Sequence, residues 1–308
     1  MTRVAVCSRS FSKNPVLRGE LLAKYPDVTF NDAGLSLSGD SLVEFLRGHD
    51  AAITALETVD DSVLARVPEL QVISKYGVGL DMIDLAAMRK HGKRLGWTGG
   101  VNRRSVSELA LSFAISMLRN VPAASREVIA GTWRQHVGGN LSGRTIGIVG
   151  CGHVGKDLVG LLKPFGCRIL VNDIRDYPEF YAANDVSSVA LTTLLSESDV
   201  VTLHVPLDAS TRNLLDDSRL GLMKPTAVLI NAARGGIVDE LALKRRLMDG
   251  SLAAAAFDVF RVEPPDDSEL LTLPNFLATP HIGGSSHEAI IAMGRAAIEG
   301  LESNSVPT

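Results

Sequence analysis

Short apolar runs alternate with segments of helical period from the start of the chain. Val4 to Cys7, Ala51 to Ala55 and Val72 to Lys75 read as buried strands, and Asp60 to Arg66 places its apolar residues at helical spacing. A longer helix is predicted from near Ser105, where Ser105 and Glu108 form an S-x-x-E capping box ahead of the apolar run Leu109 to Leu118. Beyond Arg144 the alternation becomes regular, with strands predicted over 145–149, 168–173, 200–205 and 227–231 and a helix over 156–162. Continuous apolar strands of this kind suit a parallel sheet covered on both faces. A last helical segment runs from His287 to Leu301.

At 308 residues the chain exceeds what one hydrophobic core usually organises, so two domains are expected. The pattern changes near residues 98–100 and again near 279–284, which makes the first domain discontinuous, residues 1–98 with 282–308, around a second domain of 99–281. Fixed-period repeats and low-complexity tracts are not found.

Composition narrows the function classes. Hydrophobic residues make up 45% and charged residues 21%, an ordinary globular balance. A net charge of -4 with 5% aromatic residues offers neither a basic footprint nor stacking platforms, so nucleic acid is not expected as a partner. Cys7, Cys151 and Cys167 fall in no metal-ligand or CxxC spacing, and a reducing cytoplasm is the expected compartment. Met1 to Arg18 lacks the apolar stretch of a signal peptide, and no apolar run approaches the roughly 20 residues that cross a bilayer. A soluble protein without a membrane partner is expected.

Thr145 to Gly155 reads TIGIVGCGHVG, a strand followed by Gly150, Gly152 and Gly155 at G-x-G-x-x-G spacing and then a helix beginning around His153 and Val154. Gly150 permits the tight turn, Gly152 lets the backbone approach a pyrophosphate, and Gly155 allows close packing of helix on strand. The helix N-terminus adds unpaired N–H groups for the phosphates. A second strand ends at Asp173, at the distance expected of an acidic ribose ligand. A carboxylate there accepts ribose hydroxyls and repels a 2′-phosphate, which favours NAD over NADP, with nearby Arg175 keeping the choice open.

Three later segments concentrate reactive side chains after strand-like runs: NAARGGIVDE (Asn231 to Glu240), AFDVFRVEPP (Ala256 to Pro265) and ATPHIGG (Ala278 to Gly284). With KYGVGLDMID (Lys75 to Asp84), LHVPLDASTRNLL (Leu203 to Leu215) and GLMKPTAVLINAARGG (Gly221 to Gly236), they make essentially the whole chain resemble the D-specific 2-hydroxyacid dehydrogenases. The resemblance implies an α/β protein of two Rossmann-like domains: a discontinuous, flavodoxin-like substrate domain and a doubly wound NAD-binding domain. It implies NAD-dependent interconversion of a small 2-keto acid and its 2-hydroxy acid.

The resemblance also implies residue roles. Arg234 would hold the substrate carboxylate and carbonyl oxygen, His281 would give and take the proton, and Glu263 would pair with His281. The chemistry agrees: a guanidinium fork binds carboxylate through two parallel charge-assisted bonds, and a reduced ketone oxygen needs a proton from a group that titrates near neutrality. His204, Val205, Pro206, Ala232, Ala233, Asp258, Gly283 and Gly284 fall on the cofactor side, with Arg234 and His281 adjoining it and Asp258 near the nicotinamide carboxamide. Tyr76, Gly77, Val78 and Gly79 form a turn whose N–H groups would bind the substrate carboxylate. Lys75 stands where phosphoglycerate dehydrogenases commonly carry an arginine facing substrate phosphate, so a phosphate- or phosphonate-bearing substrate stays open. Arg103 and Arg104 either face an anion or water. His49, His91 and His136 read as surface residues, and no metal site is expected.

Thr98-Gly99-Gly100 departs from the family's TPG-like sequence, and Ala232 stands where Thr or Ser is frequent. The chain ends soon after its last helix, so control through the regulatory domain appended to some phosphoglycerate dehydrogenases is not expected. A homodimer is expected by resemblance, through residues 100–140. The alternative from another class is a non-catalytic NAD(H)-sensing protein of the corepressor type. Formate dehydrogenases of this fold carry Gln where this chain has Glu263, which argues against formate.

Overall fold

A computed structural model describes residues 2–307. It divides the chain into two compact units: one runs to Asn102 and resumes at Gly284, and the other is Arg103–Gly283. The first exchange falls a few residues after the pattern change near 98–100, and the second lies within 279–284.

The first unit is a five-stranded parallel sheet of β1 (Val4–Val6), β2 (Val28–Phe30), β3 (Ala51–Thr54), β4 (Val72–Lys75) and β5 (Arg94–Gly96), in the order β2-β1-β3-β4-β5. That order is the flavodoxin-like one. Neighbouring residues enter opposite cores: Ala5, Ala52 and Ile73 join one cluster, and Val4, Ala51 and Ile53 the other. The C-terminal helix His287–Gly300 covers the second cluster, tied in by the Ser74 hydroxyl, which donates to Ala297 O at 2.6 Å.

The second unit holds seven parallel strands: β6 (Thr145–Val149), β7 (Arg168–Asn172), β8 (Val186–Ser188), β9 (Val200–Leu203), β10 (Val228–Asn231), β11 (Ala254–Phe257) and β12 (Phe276–Ala278). Their order is β12-β11-β10-β9-β6-β7-β8. Here too the period of two splits the strands, with Ile146, Ile148, Val228 and Ile230 on one face and Val149, Val201, Leu229 and Phe257 on the other. A fully buried residue such as Phe257 or Phe276 contributes about 1.5–3 kcal/mol. The order reverses at β6, whose neighbours are β9 and β7, so the carboxyl end of β6 is the place where such a sheet binds ligands.

The capping box expected at Ser105 and Glu108 does not form. The helix is Arg103–Leu118, Ser105 lies inside it, and the Ser105 hydroxyl donates to Gly283 O at 2.6 Å. The hydroxyl serves a tertiary contact distant in sequence. Arg104 pairs with Asp157 through two bonds of 2.8 and 3.0 Å, and Arg103 Nε lies 4.0 Å from the same carboxylate. No helix among the described residues is long and apolar enough to cross a membrane.

Candidate active site

The carboxyl ends of β6, β9, β10, β11 and β12, neighbours in one sheet, carry most of the residues singled out from the sequence. Gly150 to Gly155 follow β6, His204 to Pro206 follow β9, Ala232 to Arg234 follow β10, Asp258 follows β11, and His281 and Gly283 follow β12. Gly284 belongs to the returning segment of the first unit.

At the end of β6 the backbone turns through Gly150 at φ 97° and enters the helix His153–Leu162. A Cβ on Gly155 would lie 2.2 Å from Gly150 O, so the close approach of helix to strand requires glycine. A Cβ on Gly152 would meet nothing within 4 Å, which leaves open space above the turn. Asp173 follows β7, and its carboxylate accepts from Cys151 N at 2.6 Å and Arg175 N at 2.8 Å, tying the glycine turn to the end of the next strand. Burial pushes the Cys151 thiol up to about 11, so it stays protonated and inert. His204 places Nε2 3.0 Å from Thr202 Oγ1, while its buried Nδ1 has no protein partner. Burial pulls this imidazole down to about 4 and keeps it neutral. An open cradle, a carboxylate beyond the next strand and an unsatisfied ring nitrogen together fit a dinucleotide.

The loop after β10 is stapled by Asn231, whose Oδ1 accepts from Ala233 N at 3.1 Å and whose Nδ2 donates to Arg234 O at 2.9 Å. Arg234 is half-buried, and its Nη1 donates to Ala233 O at 2.7 Å. Beyond β12, His281 Nδ1 lies 2.8 Å from Glu263 Oε2; the ionised carboxylate only accepts, so Nδ1 carries the hydrogen and Nε2 is the ring's reactive nitrogen. Both side chains reach solvent, at 48% and 39% exposure.

His281 adopts φ 54°, a conformation costly for a residue with a side chain. Its N–H donates to Asp258 O at 2.9 Å and Thr279 O at 3.0 Å. The Asp258 carboxylate, 1% exposed, accepts from the Thr279 hydroxyl at 2.5 Å and from Ile282 N and Gly283 N, both at 2.7 Å. Both carboxylate oxygens of Asp258 thus bind the loop that presents His281. Asn231 and Thr279 escaped notice in the sequence although both lie inside the quoted motifs; the available signal was a polar residue at the end of an apolar strand or directly after it.

In the first unit, Tyr76 is buried edge-on against Phe11, and Gly77 has φ 135°. The Val78 carbonyl accepts from Trp97 Nε1 at 2.9 Å. Lys75, expected toward an anionic tail, is 6% exposed and donates to Ala55 O. A cavity of about 640 Å³ opens beyond β1 and β3, lined by Ser8, Arg9, Lys13, Leu56 and Glu57 among others. His49, His91 and His136, expected at the surface, are half-buried, with Thr29, Asp61 and Glu127 as partners at 2.9, 2.7 and 2.8 Å. No cluster of three or more His, Cys, Asp or Glu residues suited to a metal occurs among the described residues.

Residues 111–283, more than half of the chain, match the family model for the NAD binding domain of D-isomer specific 2-hydroxyacid dehydrogenases. The chain belongs to this family. It is 36% identical over 270 residues to the glyoxylate reductase of Thermococcus litoralis, covering 84% of this chain and 82% of that one. It is 39% identical over 240 residues to the (S)-sulfolactate dehydrogenase of Chromohalobacter salexigens, covering 75% and 76%. Among solved structures, D-2-hydroxyisocaproate dehydrogenase superposes with a TM-score of 0.85 at 25% identity, over 97% of this chain and 95% of that one. The 2-hydroxyacid dehydrogenase fold, the NAD cofactor and the oxidoreductase class follow, and the comparisons lend no support to a non-catalytic sensor.

Proposed function

We propose that this dehydrogenase reduces a small 2-keto acid with NADH, with His281 as proton donor, Glu263 as its partner and Arg234 as the substrate's anchor. The observation that carries the reading is the His281–Glu263 pair beyond β12, in the same unit as the glycine turn of β6. Gly150, Gly152, His153, Val154 and Gly155 would hold the pyrophosphate and Asp173 the ribose, with His204, Val205, Pro206, Ala232, Ala233 and Gly283 alongside. Bound there, the dinucleotide supplies the hydride for reduction and takes it up in oxidation.

The protein's own contribution is orientation, charge and a proton. Arg234 binds the carboxylate and the carbonyl oxygen, and its fixed charge stabilises the negative charge that grows on that oxygen. His281 delivers the proton from Nε2, and Glu263 fixes the tautomer and stabilises the imidazolium. In the reverse direction neutral His281 accepts the hydroxyl proton. The N–H groups of Gly77, Val78 and Gly79 would receive the substrate carboxylate. A cytoplasmic homodimer, built through residues 100–140, completes the proposal.

The tail of the substrate is read from the first unit. Lys75 is buried against Ala55 O, which favours a small tail such as that of glyoxylate over a phosphorylated one. A second reading, an anionic tail like the sulfonate of sulfolactate, draws on Arg9 and Lys13 at the 640 Å³ cavity. A panel of glyoxylate, pyruvate, hydroxypyruvate, its 3-phosphate and 3-sulfopyruvate, followed by NADH oxidation, separates the two. Preferred turnover of uncharged tails supports the first reading, preference for the charged ones replaces it with the second, and a silent panel despite tight NADH binding overturns both.

A further inference from the structure

The loop that carries Glu263 is thinly held. Arg261, Val262, Glu263 and Pro264 are exposed, and the segment borders a cavity of about 470 Å³ lined by Asp239, Glu240, Arg261, Val262 and Asp266 among others. Apolar packing therefore does not fix it on that side.

One peptide unit does. The Phe260 carbonyl oxygen would lie 1.9 Å from a Cβ on Gly235, so the loop that follows Arg234 lies flat against the Phe260–Arg261 peptide. The N–H of that same peptide, on Arg261, donates to Glu240 Oε1 at 2.7 Å. The preceding N–H, on Phe260, donates to Glu263 Oε1 at 3.1 Å, and the other oxygen of Glu263 meets His281. Glu240 thus grips the peptide against which the Arg234 loop lies, and the peptide just before it, joined at Phe260, carries the N–H that holds the Glu263 carboxylate.

Helix capping does not account for this glutamate. Glu240 is the first residue of the helix Glu240–Asp249, but the cap is Asp239, whose Oδ1 accepts from Leu241 N at 3.1 Å and Ala242 N at 3.0 Å. Burial holds the Glu240 carboxyl above the usual carboxylate range; Asp266 and Asp267 push the same way, and Arg261 opposes them. A solvated first-turn glutamate bears no such cost, so its position is explained by the backbone donor it satisfies.

We propose that Glu240 is a positioning residue for the proton-transfer pair: by holding the Phe260–Arg261 peptide, it sets where Glu263 meets His281. This rests on the roles proposed above for Glu263 and His281.

The test compares Glu240→Ala, Glu240→Gln, Glu263→Gln and the double variant Glu240→Ala/Glu263→Gln in the full-length enzyme with NADH and its best 2-keto acid. Glu240→Ala should lower kcat about tenfold and move the alkaline limb of the reduction profile to lower pH, with little change in NADH affinity by fluorescence titration. Glu240→Gln keeps the acceptor and should restore both. In the Glu263→Gln background, Glu240→Ala should add nothing, because the two act through one contact. If Glu263→Gln shifts the profile while Glu240→Ala only lowers the melting temperature, or if the two effects multiply, Glu240 has no positioning role. If Glu263→Gln itself leaves the profile unmoved, the reading of the pair fails instead. Should Glu240→Ala not fold, Glu240→Met, which fills the space without an acceptor, replaces it with the same expected outcomes.

Discussion

Glu263 binds in two directions: one oxygen takes Nδ1 of His281 at 2.8 Å and the other takes the N–H of Phe260 at 3.1 Å. The carboxylate is anchored to backbone before it meets the ring, so it orients the imidazole as well as neutralising it.

If His281 is the proton donor, as proposed, reduction consumes its proton and oxidation returns one, so the two directions should have opposite pH dependence. Reduction should fall as pH rises, and oxidation should rise. His281→Ala should lower kcat by about 10²–10⁴-fold while NADH affinity changes little. Initial rates in both directions across pH check this, and parallel profiles would remove His281 from the proton step.

Asp258 satisfies the Thr279 hydroxyl and two N–H groups of the His281 loop. Asp258→Ala leaves these donors without their acceptor and should cost about 3 kcal/mol of stability. Asp258→Asn keeps one acceptor oxygen and should lose less. Urea midpoints of the three proteins provide the comparison; an unchanged midpoint for Asp258→Ala would mean that the loop is held by other contacts.

Asp173→Ser should weaken NADH binding by about tenfold and narrow the discrimination against NADPH, because the ribose loses a charged acceptor and the 2′-phosphate loses a repelling charge. KM for each cofactor measures it. An unchanged ratio would place the discrimination elsewhere, with Arg175 as the next residue to replace.

His204 supplies a pH-dependent stability term. Its folded-state pKa, about 4, lies below the ordinary imidazole value of 6.5, so between these values the unfolded chain binds a proton that the folded chain does not. Stability is fully present above the unfolded value and is lost as pH falls through this window, by on the order of 3 kcal/mol. His204→Gln has no such titration and should show a shallower decline in urea midpoint from neutral pH toward acid. Equal slopes would show that His204 is solvated in the folded protein.

The local features were legible in the sequence because they are set by neighbouring residues. The turn Gly150 to Gly155 and the carboxylate at Asp173 follow from backbone conformation and strand length, and the continuous apolar runs marked the strands that fill two cores in each unit. Arg234, Glu263 and His281 stood out as reactive residues after strands, but their association came from the family resemblance.

Tertiary structure decided the polar partners. Ser105 looked like a helix cap and instead binds Gly283 O, Lys75 looked available to a substrate and is bound to Ala55 O, and Asp258 looked like a cofactor contact and has both oxygens on the His281 loop. Periodicity and turn chemistry act over a few residues, so the sequence by itself determined the elements and the glycine turn. A hydrogen bond between distant residues depends on which strand ends lie side by side, and only the order β12-β11-β10-β9-β6 brings Arg234, Asp258 and His281 together at the carboxyl ends of the strands.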